Sequence, residues 1–76
     1  LDIRGLETLE AESVVENYLD AASRSKLGTV TIIHGKGTGA LRKAVQAYLR
    51  RDKTVKSFRL GNYGEGESGV TVVEFK

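Results

Sequence analysis

Few residues in this chain can do chemistry, and several of them crowd into one short stretch. Residues 29–45, "TVTIIHGKGTGALRKAV", run from a β-branched apolar segment through His34 into three glycines within five positions, with Lys36 between the first two. An imidazole titrates near neutral pH and can pass a proton. Cleaving a phosphodiester needs such a proton carrier, and positive charge against the charge that builds on the phosphate. His34 and Lys36 are the residue types that supply both. A plainer reading lets His34 cap a neighbouring carbonyl and leaves Lys36 as a solvated charge. The local pattern permits either.

The surroundings of the turn narrow the choice of ligand. Thr29 to Ile33 is dense in β-branched residues and predicts a buried strand. Leu41, Ala44, Val45, Tyr48 and Leu49 fall on one face of a helix that should run to about Arg51. The turn therefore joins the carboxyl end of a strand to a helix N-terminus, where ligands of open α/β sheets bind. Unpaired amides and the helix dipole favour a phosphate there. Gly35, Gly37 and Gly39 let the backbone fold closely around an anion. Thr38 can cap the helix or add a hydroxyl contact. Arg42 and Lys43 sit near the positive end of the dipole, which is mildly unfavourable unless an anion offsets them. The lysine precedes the second glycine, so this is no P-loop, and G-x-G-x-G is not the dinucleotide spacing. A phosphodiester backbone is the better tenant.

The N-terminus adds two more polar groups. Leu1 to Arg4 alternates apolar and polar residues, as a short half-buried strand does, and Gly5 ends it. Asp2 and Arg4 then share the sheet face opposite Leu1 and Ile3, which brings Arg4 near His34. A guanidinium there can clamp a phosphate bidentately. Asp2 can orient Arg4 or His34, activate water or hold a metal ion; alternatively it forms a simple surface pair with Arg4.

The remaining pattern is regular. Ala11, Val14, Val15, Tyr18, Leu19 and Ala22 mark a first helix, with Thr8 as N-cap and Gly28 as stop. Val55 to Leu60 predicts a strand with Phe58 and Leu60 inward. Gly61 to Ser68 reads as a flexible loop, and Val70 to Phe75 as the last strand. Tyr18, Tyr48 and Phe58 belong to the core or its edge. Tyr63 is either a stacking surface for a base or an exposed loop tyrosine. The order β-α-β-α-β-β implies an α/β (α+β) two-layer sandwich. Its sheet should be four-stranded and mixed, with both helices on one face and neighbouring strands parallel across each β-α-β crossover.

Composition sets the outer bounds. With 76 residues the chain is a single domain, and a domain this small buries only about 60% of its unfolded surface. It has no cysteine, so disulfides and thiolate ligands are unavailable. No apolar run is long enough to span a membrane, no signal peptide is evident, and a cytoplasmic module is expected. The absence of a starting Met suggests a piece of a longer multidomain protein. Residues 1–27 carry three Lys/Arg against six Asp/Glu, whereas residues 28–76 carry nine against four. Such asymmetry points to a polyanion, or else to a solvated basic face. One histidine and scattered carboxylates make no zinc set. No cofactor is firmly implied; the remaining metal role is a divalent ion, Mg or Mn, bridged by a substrate phosphate and Asp2.

"LDIRG" at the start, "IIHGKGTGALR" in the middle and "GVTVVEF" at the end resemble the Smr (small MutS-related) domain family over essentially the whole chain. Arg4, where many relatives carry His, is most similar to the C-terminal domains of bacterial type-two MutS proteins. The resemblance implies a fold similar to the C-terminal domain of translation initiation factor three. It also implies endonuclease activity, as DNA nicking or RNA cleavage. Asp2, Arg4 and Gly5 correspond to its first signature, and His34 through Gly39 to its second. In the parent proteins an ATP-binding clamp carries the domain, and they are linked with suppression of recombination and with sensing collided ribosomes through rRNA. Relatives often show Glu-Gly-Gly in the late loop, whereas here Glu65-Gly66 is followed by Glu67 and Ser68.

From the residues and the resemblance together, the expected function is a DNA or RNA endonuclease. Arg4 and Lys36 would neutralise the phosphate, the 35–39 turn would hold it, and His34 with Asp2 would move protons. The alternative is a non-catalytic DNA-, RNA- or ribosome-binding module.

Overall fold

A computed structural model describes all of residues 1–76. The chain forms helix α1 (Thr8–Arg24), strand β1 (Thr29–Ile33), helix α2 (Ala40–Arg51), strand β2 (Val55–Leu60), a 3-10 turn (Glu67–Gly69) and strand β3 (Val70–Phe75). The apolar positions that define the helices explain their packing. Ala11, Val15, Leu19 and Ala22 of α1 join Val45 and Leu49 of α2 in one buried cluster with Val30, Ile32, Val55, Val73 and Phe75. Val30 lies opposite Val73 across the ladder, so these strand residues share one sheet face. Tyr18, Tyr48 and Phe58 pack half-buried against that core. Thr29, Thr31, Ser57, Arg59 and Glu74, on the opposite face, are exposed.

The sheet corrects the expected topology. It has three strands in the order β1-β3-β2, with β3 antiparallel to both neighbours. β1 and β2 do run in the same direction, as the crossover requires, but β3 inserts between them and takes hydrogen bonds from each. Residues 1–4 form no strand. Asp2 makes a single parallel bridge to Ile33, and the chain turns immediately at Arg4 and Gly5. Leu6 N–H already bonds back to the Ile3 carbonyl at 3.2 Å, which leaves no length for a ladder. Three bonds hold the segment: Leu1 nitrogen to the Thr31 carbonyl, Ile3 N–H to the Ile33 carbonyl, and Ile33 N–H to the Leu1 carbonyl. The fully buried Ile3 side chain contributes about 1.5–3 kcal/mol more.

Three local expectations change as well. Glu7, not Thr8, is the N-cap of α1, and it makes no side-chain capping bond. α1 ends before Gly28, because Lys26 takes the left-handed conformation (φ 59°). Leu27 N–H then bonds the Ala22 carbonyl and Lys26 N–H the Ser23 carbonyl, the paired bonds of a Schellman ending. Leu60 faces the helix side but is 38% exposed. β2 is the edge strand, and a register shift between Val55 and Ser57 breaks its pairing where Lys56 stands.

Candidate functional site

The 34–39 turn lies at the end of β1 because inward-facing Ile32 commits His34, two residues on, to the same side. His34 is 4% exposed. Its Nδ1 is 2.9 Å from the Gly35 carbonyl, and its Nε2 is 2.8 Å from Thr71 Oγ1. A carbonyl only accepts, so Nδ1 carries the proton; in the neutral ring Nε2 then accepts from the Thr71 hydroxyl. Both ring nitrogens are thus committed within the protein. The Gly69 carbonyl accepts the amides of both His34 and Gly35, at 3.1 and 2.9 Å. The start of the turn is tied to β3 by side chain and backbone together.

Beyond Gly35 the chain leaves its donors free. Gly35, Gly37 and Gly39 have φ of 76°, 29° and 86°, values that only glycine adopts without strain. The amides of residues 36–39, 41 and 42 donate to no group of the chain. Thr38 Oγ1 accepts the Ala40 amide at 3.3 Å, so the hydroxyl serves α2. Gly39 is the N-cap of α2, whose first turn contains no acidic residue.

Two arginines flank this turn. A Cβ on Gly35 would lie 3.4 Å from Arg4 Cγ, and one on Gly39 would lie 3.0 Å from an Arg42 Nη. Arg4, the turn and Ala40–Arg42 line a groove of about 310 Å³. Arg4 is set there by Asp2, whose Oδ1 accepts its Nε at 3.0 Å and whose Oδ2 accepts its Nη2 at 2.7 Å. The Asp2 Oδ1 also takes the Arg4 backbone amide at 3.0 Å. The Arg4 side-chain bond is the main reason the Asp2 carboxyl falls to about 2. Asp2 is therefore ionised across the neutral range and is a weak base.

Lys36 and Lys43 are placed differently. Lys36 Nζ reaches out to Glu67 Oε2 at 3.4 Å rather than toward the His34 ring. Lys43 is exposed and lies outside the groove lining. A larger hollow of about 650 Å³ between the helices is lined by Glu12, Glu16, Asp20 and Asp52, the wrong charge for a phosphate. Nowhere do three of His, Asp and Glu converge as metal ligands. Asp2, with both oxygens held by Arg4, does not by itself form a cation site.

The Smr domain family model matches residues 1–76. This chain belongs to the Smr domain family. It is 58% identical over all 76 residues to the Endonuclease MutS2 proteins of Acetivibrio thermocellus and Clostridium novyi, and it spans about 10% of their length. The crystal structure of the Smr domain of Thermus thermophilus MutS2 superposes with a TM-score of 0.97 at 49% identity, covering 100% of this chain and 95% of that one. YdaL, a stand-alone small MutS-related protein from Escherichia coli, shares the fold with a TM-score of 0.90 at 23% identity, over 99% of this chain and 63% of its own.

Two residues of this Smr domain, Thr71 and Gly69, join the site without being singled out by the sequence reading, and Arg59 braces the neighbouring loop. Thr71, fully buried, holds the His34 ring. A hydroxyl at an inward position of a valine-rich strand was the available signal, since a buried polar group needs a partner. Gly69 supplies the shared carbonyl. Arg59 grips Glu65 with 2.8 and 3.3 Å bonds in the β2–β3 loop. That bond, with the Asn62 amide, lowers the Glu65 carboxyl to about 2.

Proposed function

We propose that this Smr domain binds a phosphodiester of DNA or RNA in the groove between Arg4 and Arg42 and is the nuclease module of a larger protein. The observation that carries the reading is that Arg4 and Arg42 line one groove with a turn whose amides are unpaired. Fixed donors of this kind stabilise the charge that develops on a phosphate at no reorganisation cost. Arg4 and Arg42 hold the phosphate, residues 35–39 cradle it, and Lys36 adds charge once it leaves Glu67. Lys43 stands outside this grip. Asp2 keeps Arg4 in position and orients water at the rim. His34 is a positioning residue in this arrangement, because the ring fixes Gly35 against Thr71. We further propose that the parent protein is a cytoplasmic ATPase that brings the domain to recombining DNA or to a collided ribosome; the relatives it resembles are named as endonucleases. No helix here is long and apolar enough to cross a membrane.

A specific observation favours the second reading, a non-catalytic binding module. The imidazole is committed at both nitrogens and Asp2 is a weak base, so no free proton carrier faces the groove. Incubation with supercoiled plasmid and with a structured RNA, each with magnesium or with EDTA, separates the two. Cleavage that Arg4→Ala and Lys36→Ala abolish, while Arg50→Ala retains it, supports the nuclease. Salt-sensitive binding without cleavage leaves the binding module. Absence of both defeats the proposal.

A further inference from the structure

Tyr63 is 94% exposed, more than any other large apolar or aromatic side chain of the domain. It stands in the β2–β3 loop, at the same end of the sheet as the phosphate groove. Lys36 of the turn reaches Glu67 of this loop, and the Gly69 carbonyl at its base takes the His34 and Gly35 amides. Tyr63 therefore stands on a loop whose base is fastened to the turn that lines the groove.

The loop that carries it is braced. The Glu65 carboxylate accepts both Arg59 Nη groups and, at 2.7 Å, the Asn62 amide, while Glu65 N–H returns to the Asn62 carbonyl at 2.9 Å. Tyr63 sits inside that closed turn. Below it, Gly61 N–H bonds the Glu67 and Val70 carbonyls, and Gly69 N–H bonds the Gly66 carbonyl. Gly61 and Gly66 lie so close over Val70 that an added Cβ would come within 2.6 and 2.7 Å of its methyl groups. A bare aromatic ring on a braced support keeps its apolar surface in water, and stacking would use that surface at little ordering cost.

We propose that Tyr63 is a stacking platform for one unpaired base beside the phosphate held by Arg4 and Arg42. The preferred ligand is then a single strand rather than continuous duplex, whose stacked bases offer no free face. This inference rests on the phosphate-binding reading above. It deepens that reading by naming the substrate class.

The chain contains no tryptophan, so Tyr63→Trp supplies a single fluorescent reporter at the platform. The probes are a single-stranded 12-mer DNA, its duplex, and an abasic 12-mer with the same phosphates and no bases. The single strand is expected to quench the tryptophan, and the abasic oligomer is not. Tyr63→Ala should weaken the single strand about tenfold, in the range of one base–aromatic stack, and leave the abasic affinity unchanged; Tyr63→Phe should keep wild-type binding. Unchanged single-strand affinity in Tyr63→Ala, or equal loss for both oligomers, overturns the platform. Arg4→Ala is the control for the groove. If it weakens neither base-bearing nor abasic strands, the phosphate reading itself falls, and the platform with it.

Discussion

The two ends of this domain are rich in cations set in opposite surroundings. Both helices run from the groove end to the far end. At the far end, Arg24 and Lys26 follow α1, and Arg50, Arg51 and Lys53 close α2, where exposed carbonyls and the negative pole of the dipole favour positive charge. Partners answer several of them: Arg24 pairs with Asp20 at 2.9 Å, Arg51 with Glu12 at 3.1 Å, and Lys56 with Glu74 at 3.2 Å. Arg50 lies over the Phe58 ring, 5.7 Å from its centre. At the groove end the polarity reverses. The first turn of α1 has its own acid, Glu10, but that of α2 has none and carries Arg42 and Lys43 instead. The number of cations does not locate the site. Positive charge set at the positive pole of a helix, beside amides the fold leaves unpaired, does.

The largest effect that would sharpen this contrast belongs to the groove. Arg4→Ala combined with Arg42→Ala should lower single-strand affinity about 100-fold or more, at roughly 1.5–3 kcal/mol per charge-assisted contact. The plot of log affinity against log salt should become shallower. Next in size is Thr71→Val, which leaves His34 Nε2 buried and unpaired. It should cost about 1–3 kcal/mol of stability in urea unfolding, and weaken oligonucleotide binding by loosening Gly35. A neutral result would mean that the ring does not brace the turn. The smallest effect should come from Arg50→Ala, Lys53→Ala and Lys76→Ala together. Affinity should stay within about twofold of wild type, since surface changes of this kind are worth under ~0.5 kcal/mol. If that triple variant lost as much as the groove pair, the two ends would be equivalent and the contrast would collapse.

Much of the frame was legible in the sequence, and the particular failures are instructive. β1, β2 and β3 occupy the ranges expected from the sequence, β1 on its β-branched density. α2 ends at Arg51, as the helical spacing requires. The insertion of β3 between β1 and β2 was not legible, because periodicity carries no information on strand order. Residues 1–4 show strand alternation, yet a segment of that length with a turn at Gly5 builds only one bridge. Tertiary demand overrode local preference at Lys26, where a left-handed residue closes α1 two positions before the obvious glycine. Glu67 also has positive φ, 52°, which gives a backbone reason why glycine suits that position. Within the site, the Asp2–Arg4 pair was one of several readings open in the sequence. The turn at Arg4, whose amide donates to Asp2 Oδ1, forms it without a strand. The inward commitment of His34 was implied by Ile32, but the local motif drew attention to proton transfer and away from burial.

One half of the groove stands on firm ground and the other on a short tether. The turn is fastened to β3, whereas Arg4 arrives on a segment secured by three main-chain bonds and the Ile3 side chain. Amide exchange in folded domains proceeds through such weakly held units before global unfolding. The Ile3 and Ile33 amides should therefore exchange sooner than those between β1 and β3. A ligand touching Arg4 and Arg42 at once would staple the N-terminal edge to α2 and slow that exchange. A change that loosens the edge lowers affinity only to the extent that it depletes the fraction of molecules with Arg4 in place. A bound phosphate would then act as a second fastening for the N-terminal edge.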